Sequence, residues 1–222
     1  MDTLNRVIDQ TILRPDATSA DIMKFMKDVA EYQFYAAVVN PCWVPTVVRM
    51  QPEETKICSV VGFPFGASTT RTKVYAAEDL IKNGCNEIDM VMNIGRLKEK
   101  DFKYIGKEIK MVSQVCAGMI LKVIIETCLL TRDEKVTAAN IITESGAHFV
   151  KTSTGYSHEG AQLDDVVLLR SVVGPDFGVK ASGGIRTYEQ ARNFISAGAN
   201  RLGTSSGVSI VQEAVRKKTS GQ

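Results

Sequence analysis

The sequence predicts an α/β fold in a single domain spanning residues 1–222, a (β/α)8 TIM barrel. Short apolar runs rich in β-branched residues alternate with helical patterns, and strict alternation implies parallel strands. Dividing 222 residues among eight units gives about 28 each, enough for one strand and its crossover helix. An open doubly wound sheet is the alternative. It is disfavoured because no Gly-x-Gly-x-x-Gly motif follows the first strand and polar residues recur across many strands.

Each strand is predicted from a short apolar run that ends at a polar or turn-forming residue. In the first strand, Ile8 and Ile12 share one face, Asp9 and Thr11 share the other, and Pro15 ends the run. The predicted strands are 5–13, 36–40, 56–63, 87–92, 121–126, the runs that contain Lys151 and Lys180, and 201–206.

The helices are predicted from apolar residues three or four apart and from capping residues at their ends. Thr131 with Glu134 and Thr187 with Gln190 fit capping boxes, and Gly84 closes the helix before it. The predicted helices are 19–33, a short one opened by Pro41-Cys42-Trp43, 70–83, 101–115, 131–146, 163–173, 187–198 and 208–218. One helix therefore follows each predicted strand, as a barrel requires.

Composition argues against several classes of function. The formal net charge is +2, from 27 basic and 25 acidic residues, which is too balanced to favour nucleic-acid or membrane binding. No apolar run approaches a membrane span, and the first residues show no signal-peptide pattern. The five cysteines are scattered, odd in number and without a Cys-x-x-Cys motif, so we expect a reducing, cytoplasmic location.

Three lysines occupy corresponding places in three successive βα units. Lys122, Lys151 and Lys180 each lie within a short apolar strand, and the two intervals between them are equal. A buried lysine is costly because its charge loses hydration, so these amines must reach solvent or have partners. Asp89 lies among apolar neighbours in the fourth strand. Because active sites of such barrels lie at the carboxyl ends of the strands, we expect these four residues to form one site.

Lys151 and Lys180, on adjacent strands, fit the arrangement that activates a lysine nucleophile. A lysine attacks a carbonyl only when neutral, and lowering its pKa from ~10.4 to ~7 requires roughly 4 kcal/mol. A second ammonium at ~4 Å in a partly dry barrel supplies about that much. Asp89 would keep one ammonium charged and could pass protons. The alternative is a purely structural Lys–Asp network, which we disfavour because one carboxylate cannot neutralise three lysines.

Glycine-rich turns follow the last three strands. They are Thr154-Gly155, Ser182-Gly183-Gly184-Ile185-Arg186 and Gly203-Thr204-Ser205-Ser206-Gly207. Loops after the seventh and eighth strands of such barrels commonly bind phosphate through backbone N–H groups and a helix N-terminus. The glycines could instead merely make tight turns, but together with two serines they favour phosphate, and hence a sugar phosphate as substrate.

The other reactive residue types point to no further chemistry. His148 precedes a strand and His158 lies in a loop, without the spacing of a metal site or a Ser-His-Asp triad. Cys42, directly after the second strand, is predicted to line the pocket, and the other cysteines to be small hydrophobes or surface thiols. Glu126 could face either the pocket or a backbone partner.

These motifs resemble the deoxyribose-phosphate aldolase family from the first strand to the last. The matching segments are Asp9-Gln10-Thr11-Ile12-Leu13, Asn40-Pro41-Cys42, Val61-Gly62-Phe63-Pro64, Glu87-Ile88-Asp89-Met90-Val91, Leu121-Lys122-Val123-Ile124-Ile125-Glu126, Lys151-Thr152-Ser153-Thr154-Gly155 and Lys180-Ala181-Ser182-Gly183-Gly184-Ile185-Arg186. The last two segments, at this spacing, are very specific. The resemblance implies an aldolase without metal or other cofactor that reversibly cleaves 2-deoxy-D-ribose 5-phosphate to D-glyceraldehyde 3-phosphate and acetaldehyde.

The same resemblance implies roles for individual residues. Lys151 is the expected Schiff-base lysine, Lys180 with Asp89 the proton relay, and Lys122 a supporting lysine. The residues expected to bind substrate are Asp9, Thr11, Cys42, Thr152, Gly155, Gly183, Gly184, Ser205 and Ser206. The expected partners are the sugar phosphate and acetaldehyde, with no nucleic acid or membrane, and the chain is expected to form a homodimer or homotetramer.

Three positions depart from the family pattern. Gln10 stands where the family often has histidine, and Tyr156 where some members have a lysine next to the phosphate. The chain ends Thr219-Ser220-Gly221-Gln222, without the final tyrosine of some members. These departures bear on rate and phosphate affinity. Two alternatives stay open. One is another Schiff-base barrel aldolase or a transaldolase-like enzyme, and the other is a non-catalytic sugar-phosphate-binding barrel.

Overall fold

The computed structural model describes residues 3–219, which form one closed barrel of parallel strands. The strands are β1 (Ile8–Ile12), β2 (Ala36–Val39), β3 (Lys56–Val61), β4 (Glu87–Val91), β5 (Ile120–Ile124), β6 (Phe149–Lys151), β7 (Gly178–Ser182) and β8 (Arg201–Thr204). Each strand pairs with the next along the chain, and β8 pairs with β1. The predicted TIM barrel is confirmed.

Helices surround the barrel and start where the sequence offers capping residues. They are α1 (Ser19–Tyr32), α2 (Val44–Val48), α3 (Thr70–Lys82), α4 (Ile94–Lys98), α5 (Phe102–Val115), α6 (Arg132–Glu144), α7 (Leu163–Val173), α8 (Tyr188–Ser196) and α9 (Gly207–Thr219). The capping boxes predicted at Thr131 and Thr187 are both present, and Thr18 forms a third with Asp21 at the start of α1. Within the described residues, no helix has the length and apolarity needed to cross a membrane.

The first strand is shorter than predicted. Residues Thr3–Val7 form a 3-10 turn, and β1 starts only at Ile8. The Asn5 side chain donates a hydrogen bond to the Tyr32 carbonyl at the end of α1, 2.9 Å away. This polar contact holds the turn against α1 instead of extending the strand.

The short helix α4 was not predicted from the sequence. Its five residues are too few to show a helical apolar period. The local signal is the residue before it, because the Asn93 side chain accepts a hydrogen bond from the Arg96 N–H and so caps the helix.

Strand alternation separates an apolar layer from a charged interior. In β4, Ile88 and Met90 belong to the apolar core that packs beneath the helices. Glu87 and Asp89 alternate with them and therefore point into the barrel, where both are buried. The charged groups predicted to carry chemistry thus lie inside the barrel.

Candidate active site

Asp89 is the centre of a buried cluster of charged side chains. Its Oδ2 atom lies 2.7 Å from Lys151 Nζ and 2.7 Å from Lys180 Nζ. Its Oδ1 atom lies 2.9 Å from Lys122 Nζ. All four side chains are buried. The structure therefore brings together the three lysines and the aspartate that the sequence singles out.

Two more carboxylates and an arginine extend the cluster. Glu87 Oε2 lies 2.6 Å from Lys122 Nζ and 3.0 Å from Arg201 Nη2. Asp9 Oδ2 lies 2.5 Å from Lys180 Nζ, and Asp9 Oδ1 accepts a hydrogen bond from Arg201 Nε at 2.8 Å. The sequence analysis assigned no role to Glu87 or Arg201. Their signal was available, since each is a charged residue at the first position of a predicted strand.

The three lysines do not lie at one height in the barrel, although their intervals in the sequence are equal. Lys151 pairs in register with Lys180, whereas Lys122 pairs with Phe149, two residues before Lys151. The stagger of neighbouring strands in a closed barrel produces this offset. Lys122 therefore lies nearer the amino-terminal ends of the strands than the other two amines.

The cluster contains more basic groups than carboxylates. Its members are Asp9, Glu87 and Asp89 on one side and Lys122, Lys151, Lys180 and Arg201 on the other. Three carboxylates can neutralise only three cations, and an arginine does not lose its proton in a protein. Lys122 and Lys180 each contact two carboxylates, but Lys151 contacts only Asp89. Lys151 is therefore the amine whose proton is held least strongly.

Burial and neighbouring charges shift the two adjacent lysines in opposite directions. Burial lowers the pKa of Lys151, Asp89 opposes this shift, and the Lys180 ammonium adds to it. Burial also acts to lower the pKa of Lys180, but Asp89 and Asp9 outweigh it and raise that pKa. The pKa of Asp89 stays well below its ordinary value because the lysines outweigh the effect of burial. Burial, rather than the like charge emphasised in the sequence argument, is the larger cause for Lys151.

Lys151 is also the lysine of the three that reaches a cavity. The cavity has a volume of about 530 Å³ at the carboxyl ends of the strands and is lined by Lys151 together with Gln10, Thr11 and Tyr156. Lys122 and Lys180 are fully buried beneath the surface. A substrate in this cavity would therefore meet the least basic amine of the cluster.

The glycine-rich loops line the same cavity. Its wall includes Gly155, Gly183, Gly184, Ser205 and Ser206, five of the residues that the sequence analysis expects to bind substrate. Gly183 has a φ of +88°, and a Cβ there would lie 3.0 Å from Gly160 Cα, so a larger residue would strain the turn. Ser206 directly precedes the N-terminus of α9. The loops after β7 and β8 thus meet on the wall of the cavity that holds Lys151.

Three residues expected to bind substrate do not line this cavity. Asp9 is fully buried, and Lys180 and Arg201 overcome burial to lower its pKa to about 2. Thr152 is also buried, and its hydroxyl donates to the Ser182 carbonyl and accepts from the Ser182 N–H on the neighbouring strand. Cys42 is exposed, because it lies in the 3-10 turn Pro41–Trp43 that follows β2 and not in the strand itself.

The structure gives definite positions to Glu126 and Tyr156. Glu126 faces a backbone partner, since its carboxylate accepts hydrogen bonds from the Thr154 N–H at 3.2 Å and from the Thr154 hydroxyl. Tyr156 lines the cavity, and its ring packs edge-on against Phe63 at a centroid distance of 5.3 Å. The third departure, the chain end without a final tyrosine, falls mostly on residues 220–222, which lie outside the described residues.

Cys58 is a further member of the cluster that the sequence analysis did not identify. Its Sγ atom lies 3.3 Å from Asp89 Oδ1 and 3.6 Å from Lys122 Nζ. Burial raises the pKa of this thiol well above its ordinary value, so it stays neutral and donates to Asp89. In residues 3–219, no group of three or more His, Cys, Asp or Glu side chains is arranged to hold a metal ion.

Comparison with known proteins identifies the family. The sequence profile of the DeoC/LacD family aldolases matches residues 3–213. This chain belongs to the DeoC/LacD aldolase family. A deoxyribose-phosphate aldolase from Enterococcus faecalis is 50% identical over 213 residues, which cover 95% of this chain and 97% of that protein. A deoxyribose-phosphate aldolase from Thermococcus kodakarensis is 52% identical over 214 residues, covering 94% and 96%.

Solved structures of aldolases share the barrel. One described as QR15, an aldolase, superposes with a TM-score of 0.95 at 36% identity and covers 100% of both chains. A tetrameric deoxyribose phosphate aldolase from Aeropyrum pernix has a TM-score of 0.88 at 30% identity, covering 96% of this chain and 91% of that one. The aldolase is accordingly an enzyme of the aldehyde-lyase class.

Proposed function

We propose that this aldolase reversibly cleaves 2-deoxy-D-ribose 5-phosphate to D-glyceraldehyde 3-phosphate and acetaldehyde, with Lys151 as the Schiff-base nucleophile. One observation carries the assignment of Lys151. It is the lysine of the cluster that lines the cavity, and it contacts only one of the three carboxylates. The substrate follows from the relatives at about 50% identity, which are named deoxyribose-phosphate aldolases.

The first step is attack by neutral Lys151 on the aldehyde carbon, C1, of the open-chain sugar. A neutral amine that donates one N–H to Asp89, 2.7 Å away, keeps its lone pair free for the carbonyl carbon. The carbinolamine that forms takes a proton on its hydroxyl, loses water and becomes an iminium ion. Its positive charge lies next to Asp89, which remains ionised because its pKa is held low.

The iminium ion then acts as the electron sink for carbon–carbon cleavage. A base removes the proton of the C3 hydroxyl and the C2–C3 bond breaks. The electron pair of that bond forms the C1–C2 double bond of an enamine, and the π electrons of the iminium return to the nitrogen. D-Glyceraldehyde 3-phosphate leaves, the enamine takes a proton at C2, and water hydrolyses the iminium to release acetaldehyde. We assign the proton transfers at the Lys151 nitrogen to Lys180 and Asp89, which are 2.7 Å apart.

The substrate phosphate would bind at the loops after β7 and β8. Gly183, Gly184 and Ser205 lie on the cavity wall, and the N-terminus of α9 favours an anion. Arg186 lines the same cavity and adds a cation. Tyr156, at the position where some family members have lysine, contributes no positive charge, so these groups carry the recognition.

Covalent trapping tests the proposal. The enzyme is incubated with acetaldehyde and borohydride, and we expect one ethyl group per chain, mapped to Lys151 by peptide mass spectrometry. Lys151→Arg should remain unmodified, and Lys73→Arg, which alters a buried lysine outside the barrel, should be labelled like the wild type. A wild-type enzyme that forms no adduct would indicate a non-catalytic barrel. Trapping without cleavage of deoxyribose 5-phosphate would indicate another Schiff-base enzyme.

We also propose that the enzyme assembles as a homodimer or homotetramer in the cytoplasm. The Aeropyrum pernix relative is tetrameric. Phe65, in the loop before α3, and Tyr75, on α3, are 81% and 71% exposed, and association would cover such large apolar side chains. Light scattering coupled to gel filtration should give two or four times the monomer mass, and a monomer at micromolar concentration would contradict this assembly.

A further inference from the structure

The Gln10 side chain bridges β1 to the loop between β8 and α9. Its Nε2 atom donates to the Ser205 carbonyl at 3.3 Å, and its Oε1 atom accepts from the Gly207 N–H at 3.0 Å. Gln10 pairs in register with Thr204, is 5% exposed and lines the cavity. A primary amide presents a donor and an acceptor together, so it can satisfy a carbonyl and an N–H of one loop at once.

The glycine at position 207 is what allows this bridge to form. A Cβ on Gly207 would lie 2.3 Å from Gln10 Oε1 and 3.0 Å from the Phe34 ring. Both neighbours are buried, so neither can move away freely. The contact between Gln10 and the first residue of α9 therefore depends on both partners.

Thr204 links the same loop to the loop after β7. Its hydroxyl donates to the Ile185 carbonyl at 2.6 Å and accepts from the Ser206 N–H at 2.9 Å. Gln10 completes a continuous set of hydrogen bonds from β1, across the β8 loop, to the β7 loop. The two loops proposed to hold phosphate are thus fastened to the barrel at β1.

We propose that Gln10 is a positioning residue for anion binding, which holds Ser205, Ser206 and the N-terminus of α9 where the substrate phosphate binds. Because the amide is uncharged at all relevant pH values, it fixes the loop without cancelling the positive end of the helix dipole. It acts through the loop and not on the reacting carbon. This inference rests on the proposed function for the phosphate loops alone.

The test compares variants that remove the bridge in different ways. Gln10→Met removes both hydrogen bonds at similar volume, Gln10→Glu keeps the acceptor but adds a negative charge, and Gly207→Ala displaces the amide. Gln212→Met, which removes a glutamine side-chain hydrogen bond elsewhere on α9, is the matched control. Titration calorimetry with inorganic phosphate and steady-state kinetics with deoxyribose 5-phosphate and with deoxyribose are measured for each, after thermal unfolding confirms the fold.

Gln10→Met should weaken phosphate binding and raise KM for deoxyribose 5-phosphate about tenfold, the change that ~1.4 kcal/mol of lost hydrogen bonding produces. Turnover of deoxyribose should change less than twofold. Gln10→Glu should weaken phosphate binding more than Gln10→Met does, because it adds a negative charge. Gly207→Ala should also weaken phosphate binding, because its Cβ displaces the amide.

Equal losses on both sugars, or unchanged phosphate affinity in Gln10→Met, would overturn the inference. Wild-type enzyme that binds no phosphate would also overturn it. If the wild type cleaves neither sugar but its phosphate affinity still depends on Gln10, the proposed function fails and the role of Gln10 stands.

Discussion

Buried lysine–carboxylate contacts occur both outside and inside the barrel in residues 3–219, and those inside include a lysine that lines the cavity. Between α3 and α5, Lys73 Nζ lies 2.8 Å from Glu108 Oε2 and donates to the Val91 carbonyl, with both charged side chains fully buried. That pair contains one cation and one anion. The barrel cluster contains an excess of cations, and one of them, Lys151, lines the cavity.

The pKa shifts distinguish the two regions. Burial lowers the pKa of Lys73 and raises that of Glu108, and each partner only partly offsets this. In the barrel, two adjacent lysines shift in opposite directions: the pKa of Lys151 falls while that of Lys180 rises. A buried ion pair alone is weak evidence of function. A pair of adjacent lysines with opposite shifts beside a cavity is the stronger signal.

The largest effect should come from Lys151→Arg. The guanidinium keeps a positive charge beside Asp89 but cannot form an imine, so covalent trapping should vanish at every pH. Aldol cleavage should fall about a thousandfold or more, as when a nucleophile is removed. The measurement is trapping by intact mass together with cleavage of deoxyribose 5-phosphate. Adduct formation at the wild-type level would show that another amine is the nucleophile.

Lys180→Met should preserve the nucleophile but change its pH dependence. The variant removes a like charge and leaves Asp89 freer to hold the Lys151 proton, so the pKa of Lys151 should rise. Below that pKa the neutral fraction falls about tenfold for each unit that the pKa rises, so trapping and aldol cleavage at neutral pH should both fall. Trapping measured against pH should persist at alkaline pH and be shifted upward. If trapping disappears at all pH values, Lys180 itself is required for imine formation.

Ser205→Glu tests whether the loop after β8, which lines the cavity beside Lys151, binds the substrate phosphate. A carboxylate beside the N-terminus of α9 repels the phosphate and opposes its favourable interaction with the helix dipole. KM for deoxyribose 5-phosphate should rise about tenfold, with little change for unphosphorylated deoxyribose, measured by coupled assays on both sugars. Parallel losses on both substrates would place the phosphate elsewhere.

Lys73→Met should affect stability and leave the activity of folded enzyme unchanged. It strands Glu108 without its cation and should cost about 3–5 kcal/mol in the free energy of unfolding. Without Lys73 the pKa of Glu108 in the folded state rises further above its value in the unfolded state. At low pH Glu108 is protonated in both states and costs no stability, but as the pH rises through the folded-state pKa the buried carboxylate must ionise and the protein loses stability. The deficit measured by urea unfolding should therefore be larger at about pH 8 than at about pH 5.

Glu108→Gln in the Lys73→Met background should recover much of that loss, since no buried charge remains. A large loss of activity in folded Lys73→Met would remove the distinction between the outer pair and the barrel cluster.

The barrel and the meeting of Asp89 with the three lysines could be predicted because they depend on local periodicity. Strand–helix alternation sets the topology, and alternation within β4 turns Asp89 inward. The relative heights of the lysines could not be predicted. They depend on strand stagger, which places Lys122 level with Phe149 and below Lys151.

The partners within the cluster were also beyond the sequence. Arg201 and Glu87 are far apart in the chain and meet only when the barrel closes, so the balance of charges around Lys151 was hidden. The exposure of Cys42 depends on local turn geometry, which the sequence pattern does not show, since the residue directly follows a strand. Sequence pattern identifies which residues enter the barrel, and its closure determines which of them meet.

The most direct test is the protonation state of Lys151 itself. Nuclear magnetic resonance of enzyme labelled at the lysine side-chain nitrogen and Cε, assigned with Lys151→Arg and Lys180→Met, follows each amine against pH. We expect Lys151 to lose its proton well below the ~10.4 of a free lysine, while Lys180 stays charged at the same pH. A Lys151 signal that remains protonated where Lys180 has become neutral would contradict the central claim.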